Sequence, residues 1–134
     1  MNERELLAQP PESYMSEPQR AFFKQLLETQ REELSCQIDS EFQALRTLEY
    51  SADAADIATR EEQRQWQLRQ LERQKKLIDK LDAALDRLAQ GTYGWCEETG
   101  EPIGIARLLL RPTATLCIEA KQRQEQRERH VRQD

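Results

Sequence analysis

The sequence predicts a mainly α-helical protein: a long antiparallel helical hairpin, a small zinc-ribbon-like head lacking the metal, and a C-terminal helix. Three observations lead there. From Gln19 to Gln90 the chain is rich in Leu, Gln, Glu and Arg and contains neither glycine nor proline, while its apolar residues recur at heptad spacing. All the glycines and the last two prolines fall between Gly91 and Pro112, the pattern of a compact, turn-rich segment. Around that segment, Cys96-Glu97-Glu98-Thr99 and Cys117-Ile118-Glu119-Ala120 keep the register of paired CxxC zinc ligands, but Thr99 and Ala120 stand where the second cysteine of each pair belongs.

In chain order, residues 1–15, with Pro10-Pro11, read as a mobile N-terminal arm, although Tyr14 and Met15 have the character to pack. Residues 16–90 form the hairpin. Ser16 suits an N-cap, Gln19 can reach back in a capping box, and Pro18 falls in the first turn, where amide donors lack intrahelical partners. Leu27, Leu34, Ile38, Leu45 and Leu48 share one heptad frame with Phe23 alongside, and Arg31 and Glu41 interrupt that seam. A second frame runs through Leu71, Ile78, Leu81, Leu85 and Leu88. Both seams weaken toward residues 50–58, which places the tip there and favours an intramolecular hairpin over a parallel, dimerising coiled coil. Thirty-odd helical residues at ~1.5 Å each would span about 50 Å.

Gly91 suits the left-handed position after a helix and opens the head, residues 91–117. Its candidate core is Tyr93, Trp95, Ile103, Ile105, Leu108, Leu110 and Leu116, with Trp95 and Ile118 expected to pack together in place of a metal staple. Residues 118–134 read as a polar C-terminal helix.

Composition narrows the function. With 34% charged and 37% hydrophobic residues, one large core is excluded. A net charge of −5 disfavours a generic footprint on DNA phosphates. No apolar run approaches the ~20 residues of a membrane span, and the acidic N-terminus lacks a signal peptide's basic region, so a soluble cytoplasmic protein is expected. Three cysteines argue against a disulfide framework, and Cys36 reads as inert. The single histidine, His130, lies in the charged tail, and there is no nucleophile triad or phosphate loop, so no enzyme is expected.

Two constellations remain. Asp53 and Asp56, three apart at a helix start, serve as caps or as charges at the positive dipole end, unless a hairpin tip delivers them into a partner. Taken alone, Arg73, Lys80, Arg111 and Lys121 are ordinary solvated charges.

Several separate motifs resemble the DksA/TraR zinc-finger family. They are Gly91-Thr92-Tyr93-Gly94-Trp95-Cys96, Pro102-Ile103-Gly104-Ile105-Ala106-Arg107-Leu108 and Arg111-Pro112-Thr113-Ala114-Thr115-Leu116-Cys117 in the head. Tyr14-Met15-Ser16-Glu17 and Asp53-Ala54-Ala55-Asp56-Ile57-Ala58 match in order and approximate spacing, and the similarity covers residues 14 to about 130. The resemblance implies a monomeric regulator that binds bacterial RNA polymerase rather than a DNA sequence, with its hairpin entering the secondary channel. It maps the family's DxxDxA tip motif onto Asp53, Asp56 and Ala58, a polymerase-rim contact onto Arg73, and a ppGpp site shared with polymerase onto Leu77, Lys80, Arg111 and Lys121. Thr99 and Ala120 depart from the family's zinc ligands, so the resemblance is closest to its cysteine-poor, zinc-independent members, and no structural cofactor is expected. The rival functions are a Gre-like factor whose tip acids hold magnesium for transcript cleavage, a coiled-coil adaptor unrelated to polymerase, and a thiol switch at Cys96 and Cys117.

Overall fold

A computed structural model describes residues 1–50 and 57–133. Among these residues five α-helices follow in order: α1 (Glu3–Ala8), α2 (Glu17–Tyr50), α3 (Ile57–Gln90), α4 (Ile105–Leu110) and α5 (Ile118–Gln133), with a short 3-10 turn at Pro11–Ser13. Among the described residues the one β-type pairing is an isolated antiparallel bridge between Trp95 and Pro102. The chain divides into two compact units, residues 1–27 with 83–134, and residues 28–82. The expected tip turn lies outside the described residues.

In the unit of residues 28–82, α2 and α3 run antiparallel. Leu45, Leu71 and Leu81 are buried in the seam, and Leu34, Ile38 and Ile78 are partly covered. The two charges that interrupt the heptad frame each find a partner across it. Arg31 pairs with Asp82, and the Gln74 side-chain amide donates to Glu41 Oε1 at 2.8 Å. Pairing 31 with 82 and 41 with 74 is the register of an antiparallel hairpin.

The other unit gathers both ends of the chain. Phe23 and Leu27 from α2, Ala84 from α3, Tyr93, Ile103 and Leu108 are buried together with Leu6 of α1. The N-terminal residues are thus ordered, contrary to a mobile arm. Asn2 caps α1 by accepting from the Glu5 amide, and α1 packs on α4. A six-residue helix is too short to persist by propensity, and burial of Leu6 supplies what local sequence does not. The capping box is displaced by one residue: the Ser16 amide already donates to Ser13, so Gln19 Oε1 takes the Met15 amide at 2.9 Å instead.

At the far end of α3, Gly91 has φ +83°, and bonds from Gly91 to Leu88 and from Thr92 to Arg87 close the helix in a Schellman motif. Two expected core residues of the head, Leu110 and Trp95, face out, as does Ile118. Leu110 is 85% exposed because the inward face of α4 is Ile105, Leu108 and Leu109, and position 110 turns off it. Ile118 faces out because Ala120, on the opposite side of the α5 first turn, is the residue that points in. Trp95 lies at the rim, packed edge-on against Tyr14 at 5.2 Å between ring centres rather than on Ile118.

Candidate functional site

The knuckle is shaped by the main chain. Cys96 donates its amide to Glu101 and accepts at its carbonyl from Gly100, while the Glu97 amide crosses to Thr115, holding the two halves of the motif together. The Lys121 amide donates to the Cys117 carbonyl and starts α5. Cys96 and Ala120 are buried, Cys117 is partly covered, and Thr99 is exposed.

Of the four positions, Thr99 and Cys117 meet directly. Thr99 Oγ1 lies 3.9 Å from Cys117 Sγ, and hydrogen bonding from the Thr99 side chain and from the backbone of Cys117, Thr99 and Glu98 favours the thiolate of Cys96. Burial opposes charge on that sulfur, but these donors outweigh it and lower the Cys96 pKa to about 6. The fourth corner is the Ala120 methyl, fully enclosed. Beside it Glu98 is held by Arg123 and Arg127 of α5, each at 3.5 Å. Sequence reasoning missed this clamp; the i,i+4 spacing of two arginines on α5 was its available signal.

Tyr14 was also more than a packing residue. Its hydroxyl donates to the Gly94 carbonyl and accepts from the Gly104 amide at 3.0 Å, fastening the N-terminal segment to two head turns. Gly94 suits that turn, since its φ of +90° would strain any side chain and a Cβ would also press on Met15 Sδ at 2.8 Å.

The cationic constellation is partly assembled. Arg73, Leu77 and Lys80 are exposed on α3 at spacings of four and three, so they share one face, with the buried Leu71, Gln74 and Leu81 turned elsewhere. Arg111 follows α4 and is exposed, and Lys121 on α5 donates to Gln124 Oε1 at 3.1 Å. Leu77 and Lys80 belong to the unit of residues 28–82, Arg111 and Lys121 to the other. Asp53 and Asp56 lie outside the described residues, and Ala58 is placed only as a backbone position of α3.

Comparison with known proteins gives a consistent result. Residues 19–88 match the family model "DnaK suppressor protein DksA, N-terminal domain", and residues 91–126 match "Prokaryotic dksA/traR C4-type zinc finger". The chain is 48% identical over 126 residues to the RNA polymerase-binding transcription factor DksA of Caulobacter vibrioides, covering 92% of this chain and 87% of that one. It is 38% identical over 129 residues to the protein of the same name from Escherichia coli K12, covering 91% and 82%. The solved structure of transcription factor DksA2 from Pseudomonas aeruginosa superposes with a TM-score of 0.92 at 68% identity, covering 96% of this chain and all of that one.

A C4 finger implies zinc, and the residues present do not fit it. Two thiols, a neutral hydroxyl and a methyl cannot complete tetrahedral coordination. No carboxylate or imidazole joins the thiols, since among the described residues no group of three or more such side chains is placed to hold an ion.

Proposed function

Because the chain belongs to the DksA/TraR family, we propose that it is a transcription regulator that binds bacterial RNA polymerase, acts through the secondary channel with ppGpp, and needs no structural zinc. The observation that carries this reading is likeness along nearly the whole chain to relatives named for binding RNA polymerase, 38–48% identical over 91–92% of its length. Arg73, with Leu77 and Lys80 on the same exposed face of α3, supplies the polymerase-facing surface. Leu77, Lys80, Arg111 and Lys121 form the protein's share of a ppGpp site completed by polymerase, Arg through its planar fork and Lys as a point charge against pyrophosphate.

The tip acids Asp53 and Asp56, with Ala58, act at the polymerase active centre. Regulation then follows from differential binding: the factor stabilises one polymerase state over another, because equal affinity for both would shift nothing. The protein performs no catalytic step, works as a cytoplasmic monomer, and reads no DNA sequence. Metal independence is supported by the donor set and by the enclosed Ala120 methyl, which packs where a ligand would project.

The test is crosslinking from position 56 to core polymerase together with transcription from an rRNA promoter. Asp56→Asn is expected to remove regulation while leaving polymerase binding largely intact. Persistent regulation would reduce the tip to a structural turn, and shortened RNA from stalled complexes would favour the cleavage-factor reading.

A further inference from the structure

We propose that the groove between α2 and α3, within the unit of residues 28–82, is a docking site for a lysine- and arginine-rich amphipathic α-helix of a protein partner. The inference does not rest on the polymerase reading, because it concerns another side of the hairpin and is read by binding to this chain alone.

The first support is shape. The groove has a volume of about 420 Å³, with Ile38, Leu71 and Ile78 in its wall and Phe42, 46% exposed, beside them. Along α2 its lining runs Arg31, Ser35, Ile38 and Phe42, spacings of four, three and four that keep to one helix face. Those three turns, at ~1.5 Å per residue, make a trough about 16 Å long between two antiparallel helices. A helix reads such a trough with an apolar stripe of anchors at i, i+3 or i+4, and i+7. The Arg31–Asp82 pair bridges α2 and α3 at one end of the seat. Leu68, half-exposed and one heptad before Lys75, continues the apolar strip at the other.

The second support is charge. On α2, Glu32 and Asp39 stand three residues before and four after Ser35; on α3, Glu72 and Asp79 stand three before and four after Lys75. Both helices thus edge the groove with exposed acids. Among the described residues no ion pair engages any of the four. The bases on this side are Lys75 and, toward the tip, Arg46, since Arg31 is engaged by Asp82. The far side of α3 is the reverse, a basic stripe of Arg69, Arg73, Lys76 and Lys80 at spacings of four, three and four. A basic helix is attracted to the groove side and repelled from the other, which fixes where it docks. A second copy of this chain would set acidic border against acidic border, and an acidic helix would meet the same repulsion.

The probe is a synthetic leucine-lysine peptide with its leucines at i, i+3, i+4 and i+7, labelled for fluorescence anisotropy and titrated with the full-length chain. Saturable binding that weakens with added salt is expected, together with a gain of helix by circular dichroism. The same composition scrambled so that no apolar stripe forms, and the glutamate counterpart of the peptide, should each bind roughly tenfold more weakly or worse. Phe42→Ala should weaken binding roughly tenfold, as for an aromatic anchor. Asp39→Lys combined with Glu72→Lys should weaken it and flatten its salt dependence. Lys76→Ala, on the far side of α3, should change nothing.

Side-chain NMR of the wild-type complex places the peptide without relying on any variant. Shifts at Ile38, Phe42, Leu71 and Ile78 with Trp66 and Leu77 unmoved support the groove, and the opposite pattern overturns it. Equal binding of the scrambled or glutamate peptide would mark a general attraction and overturn the proposal, as would undiminished binding by a folded Phe42→Ala protein. A dimer in sedimentation velocity that Phe42→Ala dissociates would give the groove to a second copy and overturn it equally.

Discussion

Tyr14 shows how much one hydroxyl can organise. It bridges the Gly94 carbonyl, which also accepts from the Ile103 amide, and the Gly104 amide, which would otherwise lose its partner. Tyr14→Phe keeps the ring and removes the bridge, and should cost about 1–3 kcal/mol, read as a lower midpoint in thermal or urea melts followed by circular dichroism. The same residue sets an alkaline limit. Burial raises its pKa above the ordinary 10.0, against the opposing pull of hydrogen bonds with Gly104 and Ile103. The neutral phenol's contribution is therefore complete below the unfolded value of about 10 and is lost as pH rises through the higher folded value. Melts across the alkaline range should show that loss in the wild type and a flatter profile in Tyr14→Phe. The aromatic character of Tyr14 was legible in the sequence, but its partners lie 80 and 90 residues away, a separation that no local pattern encodes.

Within α2 and α3 the heptad seams were readable because period and burial coincide, whereas the answer to Arg31 and Glu41 was not. Each interruption is met by a polar residue on the opposite helix, Asp82 and Gln74, so the breaks in one frame fix the register against the other. The Glu41–Gln74 contact is only half satisfied: Glu41 Oε2 and Gln74 Oε1 are buried acceptors without a donor among the described residues. Glu41→Gln supplies an amide N–H that can return the bond to Gln74 Oε1, and should stabilise the protein by about 1 kcal/mol in chemical denaturation. A further loss of stability would show that Glu41 finds a donor elsewhere. The helix missed in the first residues has a similar cause. Its signals, the Asn2 cap and the acids Glu3 and Glu5, are sound but short, and only packing on α4 makes them sufficient.

For the molecule as a whole, fold and family were legible because motifs from residue 14 to about 130 agreed in order. The proposed effector residues rest on that resemblance alone, since exposed Arg and Lys carry no local signature. Under the proposed function, Lys80→Ala should raise the ppGpp concentration needed for half-maximal regulation roughly tenfold or more, as expected for loss of a hydrogen bond to a charged group. It should leave ppGpp-independent polymerase binding nearly unchanged. Chelation should alter neither the circular dichroism spectrum nor rRNA-promoter regulation, and loss of either would return the protein to the metal-dependent members of its family. Finally, the unit that joins residues 1–27 to 83–134 is discontinuous in sequence. During synthesis, Leu6 and Phe23 leave the ribosome long before Ile103 and Leu108 exist to cover them. A nascent chain stalled before the knuckle therefore carries bare apolar side chains, and quality-control proteases should clear such fragments before they occupy a polymerase unproductively.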